Sequence, residues 1–345
     1  MSKINEQDYT DYLELINDGH SQRAACRILG LKRSTLQDYI KRKQKGMDCV
    51  EQEVVNGIIG NDYSNWITKE KPPIRFDVVD ELKEQKTLSK KPRICYYDIE
   101  TSLAKSYHFR NWKVNLSHKQ GIQESHMLAH CWSWGSSGEI QGSVLSKEEM
   151  LNHDPERLVL EAWSILDNCD VLVAHNGKKF DVRKVNAYFL QFGLPPPSSY
   201  KVIDTLQIAK NKFALPFNSL EYLAKFLGVQ QKIDTGGIDL WIRCDKGDEA
   251  ALQEMLDYCK GDIETLRQVH QHLIGWDNNG VNMSLYDDTH DTLCPHCASD
   301  NIKSLEGKYT YTTARKYSLY RCQDCGATLR GNRAEGVSNK LIKVV

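Results

Sequence analysis

Four acidic residues of this chain lie at spacings that would let them share divalent cations. They are Asp98 and Glu100 in Cys95-Tyr-Tyr-Asp-Ile-Glu-Thr101, Asp181 at the end of Asn176-Gly-Lys-Lys-Phe-Asp181, and Asp262 at the end of Tyr258-Cys-Lys-Gly-Asp262. Carboxylate oxygens are hard ligands of the kind that Mg²⁺ and Mn²⁺ prefer. Two such ions about 4 Å apart can activate a water and stabilise the leaving oxygen of a phosphodiester. The set therefore fits metal-dependent phosphodiester hydrolysis.

The elements predicted around these residues would bring their side chains to one place. Asp98 and Glu100 follow the apolar stretch 94–97, and residues i and i+2 of a strand point to the same face. Tyr258 and Asp262 are four residues apart in a helical pattern, so they also share a face. Taken singly, Asp181 could instead be an acidic residue favoured at a helix N-terminus, and Tyr258 a core residue of an amphipathic helix.

From residue 93 the hydrophobic pattern alternates between strands and helices. Strands are predicted at 93–97, 129–134, 140–145, 171–174 and 202–203, and helices at 155–168, 180–192, 206–210, 220–227 and 249–273. Three early strands followed by helix, strand, helix, strand and helices indicate an α/β sheet that is covered by helices.

Three motifs in this region occur in the order that a known family uses. Asp-x-Glu near a strand end, Asn-x-x-x-Phe-Asp at a helix start and Tyr-x-x-x-Asp in a late helix resemble the exonuclease motifs of DnaQ-like 3′–5′ exonucleases. Their order and spacing are similar to those of the proofreading domains of family B DNA polymerases. The resemblance covers residues 93–274. It implies a ribonuclease H-like mixed sheet flanked by helices, with an exonuclease domain spanning 93–276.

The resemblance also implies a role for each motif residue and places the chain in the tyrosine (DEDDy) subtype. Asp98 would bridge two Mg²⁺ or Mn²⁺ ions, while Glu100 and Asp262 would hold the ion that activates the water. Asp181 would bind on the side of the second ion, and the Tyr258 hydroxyl would orient the water. These five residues are the predicted catalytic set.

Residues near the second motif are candidates for substrate binding. Asn176 could hydrogen-bond the substrate or brace the site, and Lys178 and Lys179 could meet phosphate or form a solvated surface. The stretch 102–126 contains several aromatic residues and is either a substrate-contacting loop or a surface insertion. Two further polar residues of the region are predicted to have structural roles: His175 and Asp204.

Residues 1–45 are predicted to form a helix-turn-helix DNA-binding domain. Helical spacing from Tyr9 to Ile16 precedes a break, and two more helices are predicted at 22–29 and 33–43. Residues 23–42 resemble a helix-turn-helix of the resolvase or homeodomain-like kind, whose third helix would present polar side chains to a DNA groove. The candidate contacts are Arg33, Thr35 and Gln37. A plain helical bundle with a solvated basic face is the alternative.

Residues 290–335 carry two Cys-x-x-Cys pairs that resemble a zinc ribbon. The ligands would be Cys294, Cys297, Cys322 and Cys325. Four thiolates fill the tetrahedral coordination of Zn²⁺ and leave no open position, so one structural ion is predicted. The alternating residues between the pairs are typical of strands. Their Lys, Arg and Tyr side chains either touch nucleic acid or form plain ribbon surface.

The remaining segments and the bulk composition add weaker expectations. Residues 46–92 are predicted to be a linker with a short strand at 74–79, and 336–345 a tail. Net charge is −1, yet 20–45 holds eight basic residues against one acidic residue, and 291–345 holds nine against five. Both ends would therefore attract phosphate, with uneven solvated surface as the alternative. Eleven cysteines without a signal peptide or a membrane span predict a reduced, cytoplasmic protein with no membrane partner.

The function predicted from these features is a metal-dependent 3′–5′ exonuclease. DNA is the favoured substrate and RNA the alternative, with a replication or recombination protein as a further partner. One rival is an exoribonuclease or structure-specific nuclease on the same fold. The other is a DNA-binding regulator or recombination accessory with an inactive nuclease fold, against which the retained carboxylates and Tyr258 argue. The compact architecture is similar to small nucleases encoded by bacteriophages, which would place the protein in a host cytoplasm.

Overall fold

The computed structural model describes residues 6–17, 22–31, 36, 73–82, 92–108, 115, 118–229, 237–278, 280–287 and 292–336. The chain divides into two units, Met1–Lys69 and Glu70–Val345. In the described part of the chain, no helix combines the length and the apolar character that crossing a bilayer requires.

The described residues of the first unit form two short helices, α1 (Glu6–Asn17) and α2 (Gln22–Ile28), as the sequence predicts. Ala25 is fully buried and packs with Tyr12 and Leu36 in a small apolar core. Gly30 ends the second helix with φ 64°, in the left-handed region that glycine adopts without strain. The predicted third helix at 33–43 and the three candidate DNA contacts, Arg33, Thr35 and Gln37, lie outside the described residues, so the helix-turn-helix stays a prediction.

The second unit is built on a five-stranded sheet in the order β5-β4-β1-β6-β7. The strands are β1 (Ile94–Thr101), β4 (Met127–Trp134), β5 (Ile140–Val144), β6 (Val171–Ala174) and β7 (Lys201–Asp204). A separate two-stranded ladder consists of β2 (Lys105–Ser106) and β3 (Gly121–Gln123). Strand β1 is antiparallel to β4 and parallel to β6, and β6 is parallel to β7. The sheet is therefore mixed, as predicted.

Helices cover both faces of this sheet. They are α3 (Phe76–Leu82), α4 (Lys147–Asn152), α5 (Glu156–Asp167), α6 (Asp181–Gln191), α7 (Thr205–Lys212), α8 (Leu220–Leu227), α9 (Asp239–Asp245) and α10 (Glu249–Leu273). Short 3₁₀ turns occur at His118–Gln120, Ile274–Trp276 and Met283–Tyr286.

Strand β1 separates two apolar cores because successive side chains point to opposite faces. Tyr97 and its odd-numbered neighbours pack with Trp163 of α5 in one core. Tyr96 packs with Ile263 of α10 in the other core. The even-numbered positions that follow in β1 therefore face α10, which decides where the acidic side chains of this strand point.

The predicted strand at 74–79 is wrong, because residues Phe76–Leu82 form helix α3. The β-branched residues of this stretch favoured a strand, but helical spacing places Val79 in the core, where it is 2% exposed. Two bonds anchor the segment: the Arg75 N–H donates to the Gly193 carbonyl at 2.9 Å, and Ser164 Oγ to the Leu82 carbonyl at 3.3 Å. Residues 73–82 thus belong to the folded second unit rather than to a linker.

A small three-stranded sheet follows the long helix and carries the cysteines. It contains β8 (Ile302–Tyr311), β9 (Lys316–Cys322) and β10 (Thr328–Arg330), in the order β10-β9-β8. The sheet is attached directly to the end of the long helix: a Cβ on Gly275 would lie 2.3 Å from the Cys325 carbonyl oxygen. The Met283 N–H also donates to the Pro295 carbonyl at 2.8 Å. The cysteine-bearing sheet is thereby packed onto the larger domain.

Candidate active site and cysteine site

Three of the predicted catalytic carboxylates meet where β1 faces α10. One carboxylate oxygen each from Asp98, Glu100 and Asp262 lies within 4.8 Å of the others. Asp98 and Glu100 are half-buried, while Asp262 is 3% exposed. Hard oxygens grouped this closely are a donor set suited to Mg²⁺ or Mn²⁺.

The long helix carries Asp262 to the strand through its apolar stripe. Cys259, Ile263 and Leu266 of α10 are all buried in the core that contains Tyr96. Asp262 lies within this inward-facing stripe, so the packing that buries the helix also points its carboxylate at β1. The i, i+2 pair Asp98 and Glu100 and the helical residue Asp262 therefore meet at one place.

Asp181 reaches the same strand from a different helix. It is the first residue of α6, is 2% exposed, and accepts a hydrogen bond from the Ile99 N–H at 3.3 Å. It lies outside the group of three, beside β1 rather than within the same 4.8 Å cluster. Burial raises the pKa of Asp181 to about 7, opposed by backbone hydrogen bonds that include the one from Ile99. The charge of Asp204 adds to the increase. A nearby cation would favour its ionised form.

Asp204 organises the loop that precedes Asp181. Its Oδ1 accepts hydrogen bonds from the N–H groups of Leu206 and Gln207 at the start of α7, and from Asn176 at 3.0 Å. Its Oδ2 accepts from the Lys178 N–H at 3.3 Å. The carboxylate thus caps one helix and fixes the neighbouring loop. The predicted structural role of Asp204 is confirmed.

The loop itself is tightly constrained. Asn176 has φ 66°, a left-handed conformation that asparagine tolerates better than most residues. A Cβ on Gly177 would lie 2.4 Å from the Ala174 Cβ and 3.7 Å from Asp181 Oδ2. Position 177 therefore requires glycine because the Ala174 side chain at the end of β6 leaves no space for a Cβ, whereas the Asp181 carboxylate lies at an ordinary contact distance.

An open cleft of about 600 Å³ runs past the acidic residues. Its lining includes Asp98, Asp262 and Asn176 from the predicted site. Lys178 lines a different cleft, of about 660 Å³, beside β7, and Lys179 is exposed. Of the three substrate-binding residues predicted near this motif, only Asn176 is placed in the cleft that Asp98 and Asp262 line.

Sequence reasoning missed most of the other residues that line the cleft. They include Leu206, Lys210, Pro216, Phe217, Asn218, Ser219 and Leu220. The Ser219 hydroxyl accepts from the Tyr222 N–H at 3.2 Å and caps α8, so the sequence signal here is only that of a helix start. His175 also lines the cleft, but its ring nitrogens contact Thr205 Oγ1 at 2.9 Å and the Asn218 carbonyl at 3.0 Å. This agrees with its predicted structural role.

Tyr258 lies one helical turn before Asp262, and Trp241 of α9 packs against its ring. The two ring centroids are 6.1 Å apart, with their planes at 74°. The Trp241 indole N–H also donates to the Thr101 carbonyl at the end of β1, at 3.2 Å. Trp241 therefore links the ring of Tyr258 to the strand that carries two of the carboxylates.

The four cysteines of the small sheet lie within 4.8 Å of one another. The Sγ atoms of Cys294 and Cys325 are 3.6 Å apart, as are those of Cys297 and Cys322. Tetrahedral Zn²⁺ with bonds of about 2.3 Å places its sulfur ligands about 3.8 Å apart, so the residues fit this ion. The hydrogen bond between the two thiols lowers the pKa of Cys294 to about 5 and raises the pKa of Cys297 above its ordinary value. His296 Nδ1 instead lies 3.0 Å from the Ile274 carbonyl oxygen.

A model of the RNase H superfamily matches residues 95–274, slightly more than half of the chain, and the chain belongs to this superfamily. All five predicted catalytic residues lie inside the matched region. Membership of the superfamily supports a nuclease-type hydrolase, and the acidic cluster agrees with the dependence on divalent metal that is typical of such enzymes.

No curated protein matches the sequence. Among solved structures, the chain is similar to the family B DNA polymerase from the hyperthermophilic archaeon Pyrobaculum calidifontis, with 14% identity and a TM-score of 0.36. The match covers 67% of this chain and 33% of the polymerase chain, so this chain spans about a third of that protein's length. A likeness at this level defines neither substrate nor activity.

Proposed function

We propose that this protein is a metal-dependent 3′–5′ exonuclease that hydrolyses phosphodiester bonds of DNA. The observation that carries the proposal is the meeting of Asp98, Glu100 and Asp262 in one cluster, two members of which, Asp98 and Asp262, line an open cleft. A charged cluster that is partly buried and open to a groove is suited to holding cations against a polyanion. The exonuclease motifs and their order, read from the sequence, supply the 3′–5′ direction.

The metal ligands would be the three clustered carboxylates together with Asp181. Mg²⁺ or Mn²⁺ ions held there would supply activation of the attacking water and neutralisation of charge on the phosphate. Asp181 and Asp262 are almost fully buried, whereas Asp98 and Glu100 are half-buried. Asp98 and Asp262 line the cleft, so these two would lie nearest the substrate, and Glu100 and Asp181 would complete the set of metal ligands.

Neighbouring residues would position the reactants. The Tyr258 hydroxyl would orient the attacking water, with its ring braced by Trp241. Asn176 lines the cleft, and its side-chain amide would hydrogen-bond the substrate. Holding a water and a phosphate in reactive geometry is a large part of catalysis by nucleases, since the reacting atoms must be aligned.

The flanking regions favour DNA and retention of the substrate. The first unit would bind DNA through Arg33, Thr35 and Gln37 as a helix-turn-helix. The small sheet would be a zinc ribbon held by Cys294, Cys297, Cys322 and Cys325, and its surface combines aromatic and basic side chains. Lys316 Nζ lies 4.6 Å from the centroid of the Tyr309 ring. Basic side chains combined with aromatic ones are what proteins that bind single strands use to hold the backbone and stack the bases.

Cleavage of end-labelled strands tests this proposal. Single-stranded DNA and RNA of one sequence, labelled at the 5′ end, are incubated with Mg²⁺, with Mn²⁺ or with EDTA. The expected result is a metal-dependent ladder of DNA products shortened from the 3′ end. Preferential cleavage of RNA would show that the protein is an exoribonuclease. Products from internal cuts would show that it is a structure-specific nuclease.

Two matched variants of α10 distinguish loss of a site carboxylate from loss of an acidic residue elsewhere on the helix. Asp262→Asn removes a buried carboxylate of the cluster, whereas Asp257→Asn makes the same change on the exposed face of the same helix. We expect Asp262→Asn to abolish cleavage and Asp257→Asn to retain it. Equal activity of wild type and Asp262→Asn, or no cleavage by wild type under any metal condition, would contradict the proposal.

A further inference from the structure

Three aromatic side chains form a row on the surface beside the catalytic cleft. Phe217 is 66% exposed and Phe226 is 61% exposed, with Tyr222 between them. The ring centroids of Phe217 and Tyr222 are 5.5 Å apart, and those of Tyr222 and Phe226 are 6.3 Å apart. We call Phe217, Tyr222 and Phe226 the aromatic row.

Helix α8 produces this row by the way it packs. Leu220, Leu223 and Ala224 fill the inward face of α8 and are buried in the core beneath it. Tyr222 and Phe226 are four residues apart and therefore share another face of the helix. Their exposed ring surface contributes little to the core, although burying it would be favourable. Exposed aromatic surface of this kind marks a place where another molecule binds.

The row is continuous with the catalytic cleft. Phe217 lines the same cleft as Asp98 and Asp262, and the exposed Lys210 lines it as well. From Phe217 the row continues along α8, where Lys225 is exposed next to Phe226. The acidic residue of this stretch is Glu221, also exposed. A nucleic-acid strand whose 3′ end lies at the carboxylates would therefore run along the aromatic row. Its phosphates would lie near Lys210 at one end of the row and Lys225 at the other.

We propose that the aromatic row is a stacking platform for unpaired bases of the substrate strand. The proposal rests on the proposed function and refines it by assigning single-stranded ends as the substrate class. Every base has a π face that can stack on Phe or Tyr, so the contact is independent of sequence. In a duplex these faces are covered by neighbouring base pairs, so duplex DNA gains nothing from the row. An apolar segment of a partner protein is the other conceivable occupant, and the experiment below distinguishes it.

The test measures binding separately from cleavage. The full-length Asp98→Asn variant, without added divalent ions, is titrated into a fluorescein-labelled 12-nucleotide single strand and into a duplex of the same length. In this background Phe217→Ala with Phe226→Ala is compared with Phe76→Ala, which removes an equally exposed phenylalanine (61%) from α3. Phe226→Tyr serves as the conservative replacement.

We expect the double alanine variant to weaken single-strand binding roughly 10- to 100-fold, because stacking on an aromatic side chain accounts for roughly 5- to 100-fold in affinity per base. Duplex binding should change less than about 2-fold. Phe76→Ala and Phe226→Tyr should retain the affinity of the background variant. Circular dichroism melting verifies that the variants remain folded.

An oligonucleotide with abasic sites near its 3′ end isolates stacking from electrostatic attraction. Abasic sites should weaken binding by the protein with an intact row but have little further effect on the double alanine variant. Unchanged single-strand affinity in the double variant, an equal loss for duplex, or an abasic effect that persists without the row would each overturn the proposal. The first of these results would leave a protein partner as the occupant.

The two proposals fail in different ways. Cleavage of DNA by wild type, together with unaltered single-strand binding in the double variant, would remove the stacking platform and leave the exonuclease intact. Single-strand binding that depends on the row, without cleavage by wild type in Mg²⁺ or Mn²⁺, would remove the exonuclease and leave the platform.

Discussion

The backbone N–H of Ile99 donates a hydrogen bond to Asp181 Oδ1 at 3.3 Å. Ile99 lies between Asp98 and Glu100, so this bond joins the fourth carboxylate to the strand that carries the first two. The donor is a backbone group that no side-chain substitution removes. The bond also stabilises the ionised carboxylate of Asp181 and so lowers its pKa, whereas burial raises it. Asp181 is thus fixed in place independently of its charge.

This arrangement makes Asp181→Asn a clean test of charge. The amide oxygen of asparagine can still accept from Ile99, so the fold should be retained. Loss of the charge at a proposed metal ligand should lower the cleavage rate at least about 100-fold, since such ligands supply several kcal/mol of transition-state stabilisation. Rates are measured on labelled single-stranded DNA over a range of Mg²⁺ concentrations.

Asp257→Asn is the control for this substitution, because Asp257 is exposed and bonds to Gln253 on the same helix face. It should cleave at the wild-type rate at every Mg²⁺ concentration. Wild-type activity in Asp181→Asn would show that this residue only braces the strand and holds no metal.

Tyr258 and Trp241 permit a second prediction, on the orientation of the attacking water. Tyr258→Phe keeps the ring that packs on Trp241 but removes the hydroxyl. We expect kcat to fall about 10- to 100-fold with little change in KM, which is typical of a lost catalytic contact made in the transition state. Steady-state kinetics on a labelled strand give both parameters.

Trp241 acts on the same step through Tyr258. Trp241→Phe should keep the ring contact and lose only the bond to the Thr101 carbonyl, whereas Trp241→Leu loses both. The leucine variant should therefore show the greater loss of kcat, and combining it with Tyr258→Phe should add little further loss. Fully additive losses in the double variant would show that Trp241 acts independently of Tyr258.

Local periodicity predicted which of the site residues share a face of one strand or helix, whereas the meeting of the three carboxylates was implied by the resemblance to the exonuclease motifs. The spacing of Asp98 and Glu100 on a strand and of Tyr258 and Asp262 on a helix holds wherever those elements form. Helices Leu220–Leu227 and Glu249–Leu273 were predicted with their observed bounds. Ser219 and Asp248 cap their first turns, which are signals that a sequence displays directly.

Features that depend on distant packing were not predicted. Strand β1 extends to Thr101, beyond the predicted end at 97, because pairing with β4 continues past the charged residues. Helix α4 was missed for a different reason, because the capping box that Ser146 and Glu149 form is a local signal that was overlooked. The position of Phe217 in the cleft depends on how α8 docks on the sheet, and no local pattern encodes that contact.

A third prediction concerns zinc. Purified protein should contain one Zn²⁺ per chain by elemental analysis, because four thiols within 4.8 Å provide a complete tetrahedral set. Cys294→Ser should lose the metal, while Cys169→Ser, at another buried cysteine outside this cluster, should retain it. The small sheet packs against Gly275 at the end of α10. Loss of zinc should therefore also lower the melting temperature of the second unit. Full zinc content in Cys294→Ser would contradict the assignment.

A fourth prediction concerns stability and pH, through His270 on α10. Its Nδ1 lies 2.8 Å from the Tyr96 hydroxyl, and its Nε2 is buried without a hydrogen-bond partner among the described residues. Burial lowers the pKa of His270 from 6.5 to about 4. Between about pH 6.5 and pH 4, His270 is therefore protonated in the unfolded chain but neutral in the folded chain. The free energy of unfolding should fall across this window, by about 3 kcal/mol for this residue.

Urea unfolding between pH 4.5 and 7.5 measures this effect as a slope. The slope reports how many more protons the unfolded state binds than the folded state. His270→Asn should lower this number by about one, whatever the effect of the substitution on stability at pH 7.5. His126, whose pKa burial also lowers to about 4, should contribute a second and separate part of the slope. His272→Asn, on the exposed side of the same helix, is the matched control and should keep the wild-type slope. A slope in His270→Asn equal to that of wild type would mean that the imidazole is protonated in the folded protein, with the surrounding core adapting to its charge.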